Sequence, residues 1–149
     1  MKTKFFTLAL LLMGAASFAQ TSADETAIKA TIEQESVAFH QRKADKTLSY
    51  WAAVPYVSHN YTEKGVGYVR GYSTLSKAMK GYMAKHPEVD KSLYKNHAYQ
   101  IHINGTSAWA TFISDATDGS RKSQTYDARY LEKINGTWKL ISVIGTAAL

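Results

Sequence analysis

Apolar residues recur at two different periods along this chain, and the change of period divides it into a helical first half and a sheet-forming second half. From residue 24 to about residue 43, Ile28, Ile32 and Phe39 fall at i, i+4 and i+11, one stripe of an α-helix, and Glu35 interrupts the stripe at i+7. A short second helix is expected after Asp45, its N-cap, carrying Leu48 and Trp51 inward. Residues 54–62 alternate like a strand, and Gly65 and Gly67 allow a tight turn into Tyr68-Val69-Arg70. A third helix should start at Ser73 as N-cap, bury Leu75, Met79, Tyr82 and Met83, and stop before Pro87.

Beyond Pro87 the period becomes two. Asn104-Gly105, Asp118-Gly119 and Asn135-Gly136 stand between runs rich in Ile, Val, Thr, Tyr and Trp. Such pairs favour type I′ hairpin turns, whose two central residues both need φ > 0. Three of them in series predict a four-stranded antiparallel meander. With two-residue turns, Ile101 would oppose Ala108, Ala110 would lie beside Asp127, Leu131 beside Leu140, and Arg129 beside Ser142. One face would then carry His97, Tyr99, Ile101, Ile103, Ala108, Ala110, Phe112, Asp127, Arg129, Leu131, Trp138, Leu140 and Ile144. The other would carry Gln100, His102, Trp109, Thr111, Ile113, Asp115, Tyr130, Glu132, Lys139, Ile141 and Val143. The first face is the more apolar and is the expected core; one bulge would exchange faces beyond it. Helices, short strands, a helix and a meander make an α+β plan, with helices on one sheet face.

The amino terminus bears on compartment. Lys2 and Lys4 precede an apolar run over residues 5–13, then small residues and Ser17-Phe18-Ala19, the pattern of a secretory leader cut after Ala19. The expectation is a signal peptide over 1–19, one domain over 20–149, no membrane anchor, and a periplasmic or secreted product. The chain has no cysteine, which excludes a lipid-modified cysteine, a disulfide framework and a thiol nucleophile. Net charge is +6, of which Lys2 and Lys4 belong to the leader, leaving +4 (6 − 2). Lys77, Lys80, Lys85, Lys91 and Lys95 follow one helix as a solvated face, without the interleaved aromatics of a nucleic-acid surface. There is no nucleophile elbow, phosphate loop or dinucleotide fingerprint, and no cofactor is expected. No HxH or HxxxH spacing occurs, so no metal site is expected either.

Four segments resemble the nuclear transport factor 2-like superfamily, which includes SnoaL-like and ketosteroid-isomerase-like proteins. They are Ile28-x3-Ile32-x2-Glu35-x3-Phe39, Trp51-x4-Tyr56-Val57, Arg70-Gly71 entering the third helix, and the closing Arg129-Tyr130-Leu131-Glu132-Lys133-x2-Gly136-x-Trp138-Lys139-Leu140 hairpin. The resemblance implies a cone in which a strongly curved antiparallel sheet wraps a long N-terminal helix and leaves an apolar cavity. It does not imply a reaction, because the superfamily holds isomerases, dehydratases, epoxide hydrolases and non-catalytic members.

The residues expected to bind a small apolar or aromatic ligand are Glu35, Trp51, Tyr56, His59, Tyr61, Tyr68, Arg70, Tyr72, His97, Tyr99, Asp127 and Arg129. A cofactor-independent lyase, isomerase or hydrolase would instead use Glu35 or Asp127 as base and a tyrosine or His97 as acid. Each residue also has a structural reading. Glu35 could form a buried salt bridge with Arg129, Asp127 and Arg129 could be an ion pair, and His97 could be a surface histidine. A third reading is an interaction module that dimerises through Trp109, Ile113, Ile141 and Val143 on the second sheet face.

Overall fold

The computed structural model describes the backbone of residues 4–62 and 67–147 and the side chains of 22–60 and 67–147. The expected leader, 1–19, has no described side chain, and Tyr61 also lies outside the described side chains. In chain order come α1 (Lys4–His40), α2 (Ala44–Leu48), β1 (Ser58–Thr62), β2 (Gly67–Arg70), α3 (Tyr72–Lys85), β3 (Leu93–Asn104), β4 (Ser107–Asp118), β5 (Arg121–Ile134) and β6 (Thr137–Ala147). The strands form one curved six-stranded sheet in the order β2-β1-β6-β5-β4-β3. All neighbours are antiparallel except β1 and β6, so the sheet is mixed rather than wholly antiparallel as expected. The first and last strands meet there, joined through β2, α3 and the meander rather than by a hairpin. Ahead of β1, Ala52 N donates to Leu140 O and Leu140 N donates to Tyr50 O, and β1 then continues the ladder from Ser58.

The predicted stripe of α1 packs on the concave sheet face. Ile28 and Ile32 are fully buried with Ala108, Ala110, Phe112, Leu131 and Leu140. Each of the isoleucine, leucine and phenylalanine side chains contributes about 1.5–3 kcal/mol by burial. At the narrow end of the sheet Asp24 receives Trp138 Nε1 at 3.0 Å and Lys133 Nζ at 2.6 Å, tying α1 to the last hairpin. α3 buries Leu75, Met79 and Met83 as expected, but Tyr82 is exposed, and the helix is preceded by Gly71, at φ 84, rather than capped by Ser73.

The last turn is as expected: Asn135 and Gly136 both take positive φ, and Ile134 opposes Thr137. In the first two, only the glycine is at positive φ, and the loops are Gly105-Thr106 and Gly119-Ser120. Pairing therefore slides by two residues. Ile101 meets Ala110, Ala108 meets Leu131, and Ala110 meets Arg129 instead of Asp127. A slide of two preserves the pleat, so both faces survive it.

Two bulges do exchange faces. Between Tyr130 and Leu131 the partner strand β6 carries an extra residue, so Arg129 opposes Val143, not Ser142. Val143 thereby turns inward and is 3% exposed, whereas Ile144 turns outward at 40%, the reverse of expectation. Between His97 and Gln100 the ladder shifts again, with Ala98 at φ 54. His97 then opposes Ile113 on the convex face. Bulges of this kind bend the strands that carry them, which is how the sheet curls over α1.

Candidate functional site

The concavity not filled by α1 is a cavity of about 550 Å³ between the sheet, the end of α1 and α3. That volume lies within the range of small-ligand pockets. Leu75 and Met79 of α3, Val69 of β2 and Val143 of β6 form apolar wall. Ser114, Ser123 and Thr125 contribute hydroxyls, and Phe39, His40, Arg42, Tyr82, Asp90 and Tyr94 complete the lining.

Its ionisable floor assembles from three elements. Glu35 arrives from the α1 stripe and is 6% exposed, accepting a hydrogen bond from Trp51 Nε1 at 3.0 Å through Oε1. Asp127 and Arg129, two apart on β5, point to the same face, with Arg129 Nη2 2.8 Å from Asp127 Oδ1. His59 reaches in from β1. The expected direct pair of Glu35 and Arg129 does not form. Trp51 takes the Glu35 carboxyl and Asp127 takes the guanidinium, which acts on Glu35 only through its field.

That ion pair is close but poorly directed: Asp127 Oδ1 and Arg129 Nε and Nη1 are buried without a hydrogen-bond partner. Each unpaired buried group costs about 1–3 kcal/mol. The Arg129 guanidinium also lies 5.5 Å from the Phe112 ring centroid. Burial raises the Glu35 pKa, and Asp127 adds to this, against the opposing Arg129 charge and Trp51 bond. Burial likewise raises Asp127, with Arg129 opposing. Burial and then the Arg129 charge push His59 down to about 4, so it is a neutral imidazole at pH 7.

A second cluster borders the opening. His40 stacks on Tyr94 at 3.7 Å between ring centroids, and Asp90 binds both His40 Nδ1 at 3.1 Å and Tyr94 Oη at 2.7 Å. Arg42 lies over the stacked rings of Phe39 and Tyr82 and donates to Glu88 O at 3.0 Å. Burial pushes Asp90 up, but the bonds from Tyr94 and Ser92 and the His40 charge outweigh it and leave its pKa well below the usual range.

Of the expected ligand residues, Glu35, His59, Asp127 and Arg129 line this cavity. Trp51 is core and acts through Glu35. Tyr56 is half exposed and donates to Glu132 at 2.8 Å, and Tyr68 and Arg70 are exposed, since β2 is the sheet edge. Tyr72 packs against the core without reaching the cavity. The β3 bulge sends His97 outward to Asp115, at 3.0 Å, so its structural reading holds. Tyr99 stays inside but packs on Phe112, with Lys29 of α1 5.5 Å from its ring centroid; burial foremost raises its hydroxyl to about 12. Sequence reasoning missed His40, Arg42, Asp90 and Tyr94. Their one local signal was the crowding of polar and aromatic residues around the α1 terminus and Pro87. Among the described residues no three His, Asp or Glu side chains cluster as metal donors would.

No protein-family model and no curated protein sequence matches this chain. Solved structures do. An NTF2-like protein with a cystatin-like fold from Novosphingobium aromaticivorans superposes with a TM-score of 0.72 at 11% identity, covering 91% of this chain and 89% of that one. A candidate dehydratase of the NTF2-like family from Streptomyces avermitilis gives 0.71 at 14% identity, with 87% and 99% covered. The CaMKII hub of S. rosetta gives 0.68 at 15% identity, with 83% and 95% covered. By this likeness the chain has the nuclear transport factor 2-like, or cystatin-like, fold.

Proposed function

We propose that this is an exported small-molecule-binding protein, released from its leader at Ala19, whose ligand has an apolar or aromatic body and sits in the cavity between the sheet and α3. The observation that carries the reading is the cavity itself: about 550 Å³, with apolar walls and a buried, under-bonded charged group at its floor. A chain that needed only stability would fill such a space with side chains. The lyase or isomerase alternative is weakened at its acid, because His97 is on the other face and Tyr99 is packed on α1. Native mass spectrometry of protein taken from its own exported compartment should show a retained small molecule. In vitro, the neutral dye N-phenyl-1-naphthylamine should brighten with wild type and not with Met79→Trp, which fills the cavity. A dye response unaffected by that substitution would remove the cavity from the mechanism.

We further propose a symmetric dimer through the convex face. Trp109 and Tyr130 are 43% and 47% exposed there and stack at 6.3 Å, with His102 on the other side of Trp109 at 5.8 Å. They border a shallow groove of about 330 Å³ that also holds Ile141. Val143, expected on this face, is not part of it.

A further inference from the structure

We propose that the ligand of this cavity carries a carboxylate head group that Arg129 receives; the inference rests on the cavity being a binding site. A guanidinium has five N–H donors and is always protonated. In Arg129, Nη2 faces Asp127, while Nε and Nη1, which bear three of the five, have no acceptor in the protein. The other nearby acid, Glu35, does not take this place: its Oε1 receives Trp51 Nε1, and it makes no ion pair with Arg129. The Phe112 ring offers its face but no acceptor in the guanidinium plane.

The missing partner is therefore an acceptor, and the donor set selects its type. A carboxylate is planar, accepts two N–H bonds at once and carries the complementary charge; a ketone, ester or alcohol offers one oxygen and no charge. The two forks of a guanidinium are Nε with Nη2 and Nη1 with Nη2, and the single Asp127 contact takes one of the two Nη2 hydrogens, so one fork stays whole and Asp127 need not leave. Both open nitrogens are sealed from solvent, so the ligand meets the open fork by a small turn of the guanidinium toward the cavity Arg129 already lines. The groups around Arg129 tolerate a further anion. Burial disfavours charge on Glu35 from α1 and on His59 from β1, and it holds the Tyr99 hydroxyl from β3 protonated. Asp127 on β5 is the ionised neighbour, and burial raises its pKa as well. The apolar walls then take the rest of the molecule, which makes the class an aryl- or alkyl-carboxylic acid.

The test compares phenylacetate with its neutral counterpart phenylacetamide by calorimetry, with amide NMR shifts at Thr125 and Val143 to locate binding. Wild type should bind the acid about tenfold more tightly or better, the equivalent of about 1.4 kcal/mol. The Asp127→Asn, Arg129→Met double variant, shown to be folded by a cooperative melt, should lose the acid's advantage. Equal or tighter binding of the amide by wild type, or an advantage that survives in the double variant, would overturn the carboxylate assignment and leave the cavity reading intact. No shift at Thr125 or Val143 with either compound would overturn both.

Discussion

Removing the Arg129 charge is the most searching perturbation of the buried floor. Arg129→Met leaves Asp127, 5% exposed, without its counter-ion, and withdraws the field that restrains Glu35. Breaking a buried pair from one side costs about 3–5 kcal/mol. Part of that is offset, because the same substitution deletes the two unpartnered nitrogens, so the lower end, about 3 kcal/mol, is expected. For a domain of this length each kcal/mol moves the melting temperature by roughly 3–5 °C, giving a fall of about 10–15 °C by calorimetry at pH 7. Adding Asp127→Asn removes the stranded charge and should restore more than half of the loss. The pH dependence has a definite sign. Without the guanidinium both carboxyl pKa values rise further above their unfolded values. The folded variant then holds protons that the unfolded chain releases, so its stability falls as pH rises through that window and recovers towards pH 4. Losses of the two single substitutions that add to within about 0.5 kcal/mol, with no pH dependence, would show that the pair does not interact, and the β5 geometry would have to be abandoned.

Three further outcomes follow. Glu35→Gln keeps an oxygen for Trp51 Nε1 and removes a buried carboxyl whose pKa burial has raised; it should therefore raise the melting temperature at pH 7 and lose that advantage near pH 4, whereas a lower value at pH 7 would mean that the ionised form is needed. Asp24→Ala strands Trp138 Nε1 and frees Lys133, and should cost about 1–3 kcal/mol by urea unfolding; a neutral result would show the narrow end to be held by packing alone. Trp109→Glu should convert the dimer proposed for the convex face into a folded monomer by sedimentation, and a wild type already monomeric at high concentration would refute it.

Much of this structure is local chemistry and was legible in the chain. The spacing of Ile28, Ile32 and Glu35 puts them on one face of α1, and Asn135-Gly136 sets the final hairpin by itself because both residues accept positive φ. Asp127 and Arg129 share a face because they are two apart on one strand. What the tertiary structure decided was wherever two local solutions are nearly equal in energy. Leu140, Ile141, Val143 and Ile144 are apolar on both pleat phases, so pattern could not say which turns inward; the β6 bulge chose Val143. Ala98 carries no sequence mark of its φ of 54, since an alanine, unlike an asparagine or glycine, adopts that conformation only when surrounding packing imposes it, yet the bulge there carried His97 out of the site. The partners on the cavity floor were likewise beyond sequence. Helix phase and strand register brought Glu35 and Arg129 to one interior, but which acceptor each donor reaches depends on positions within an ångström, and those were set by Trp51 crossing from the edge of β6. The opening of the cavity, from His40 to Tyr94, joins residues more than fifty apart, and only the closure of the sheet over α1 brings them together.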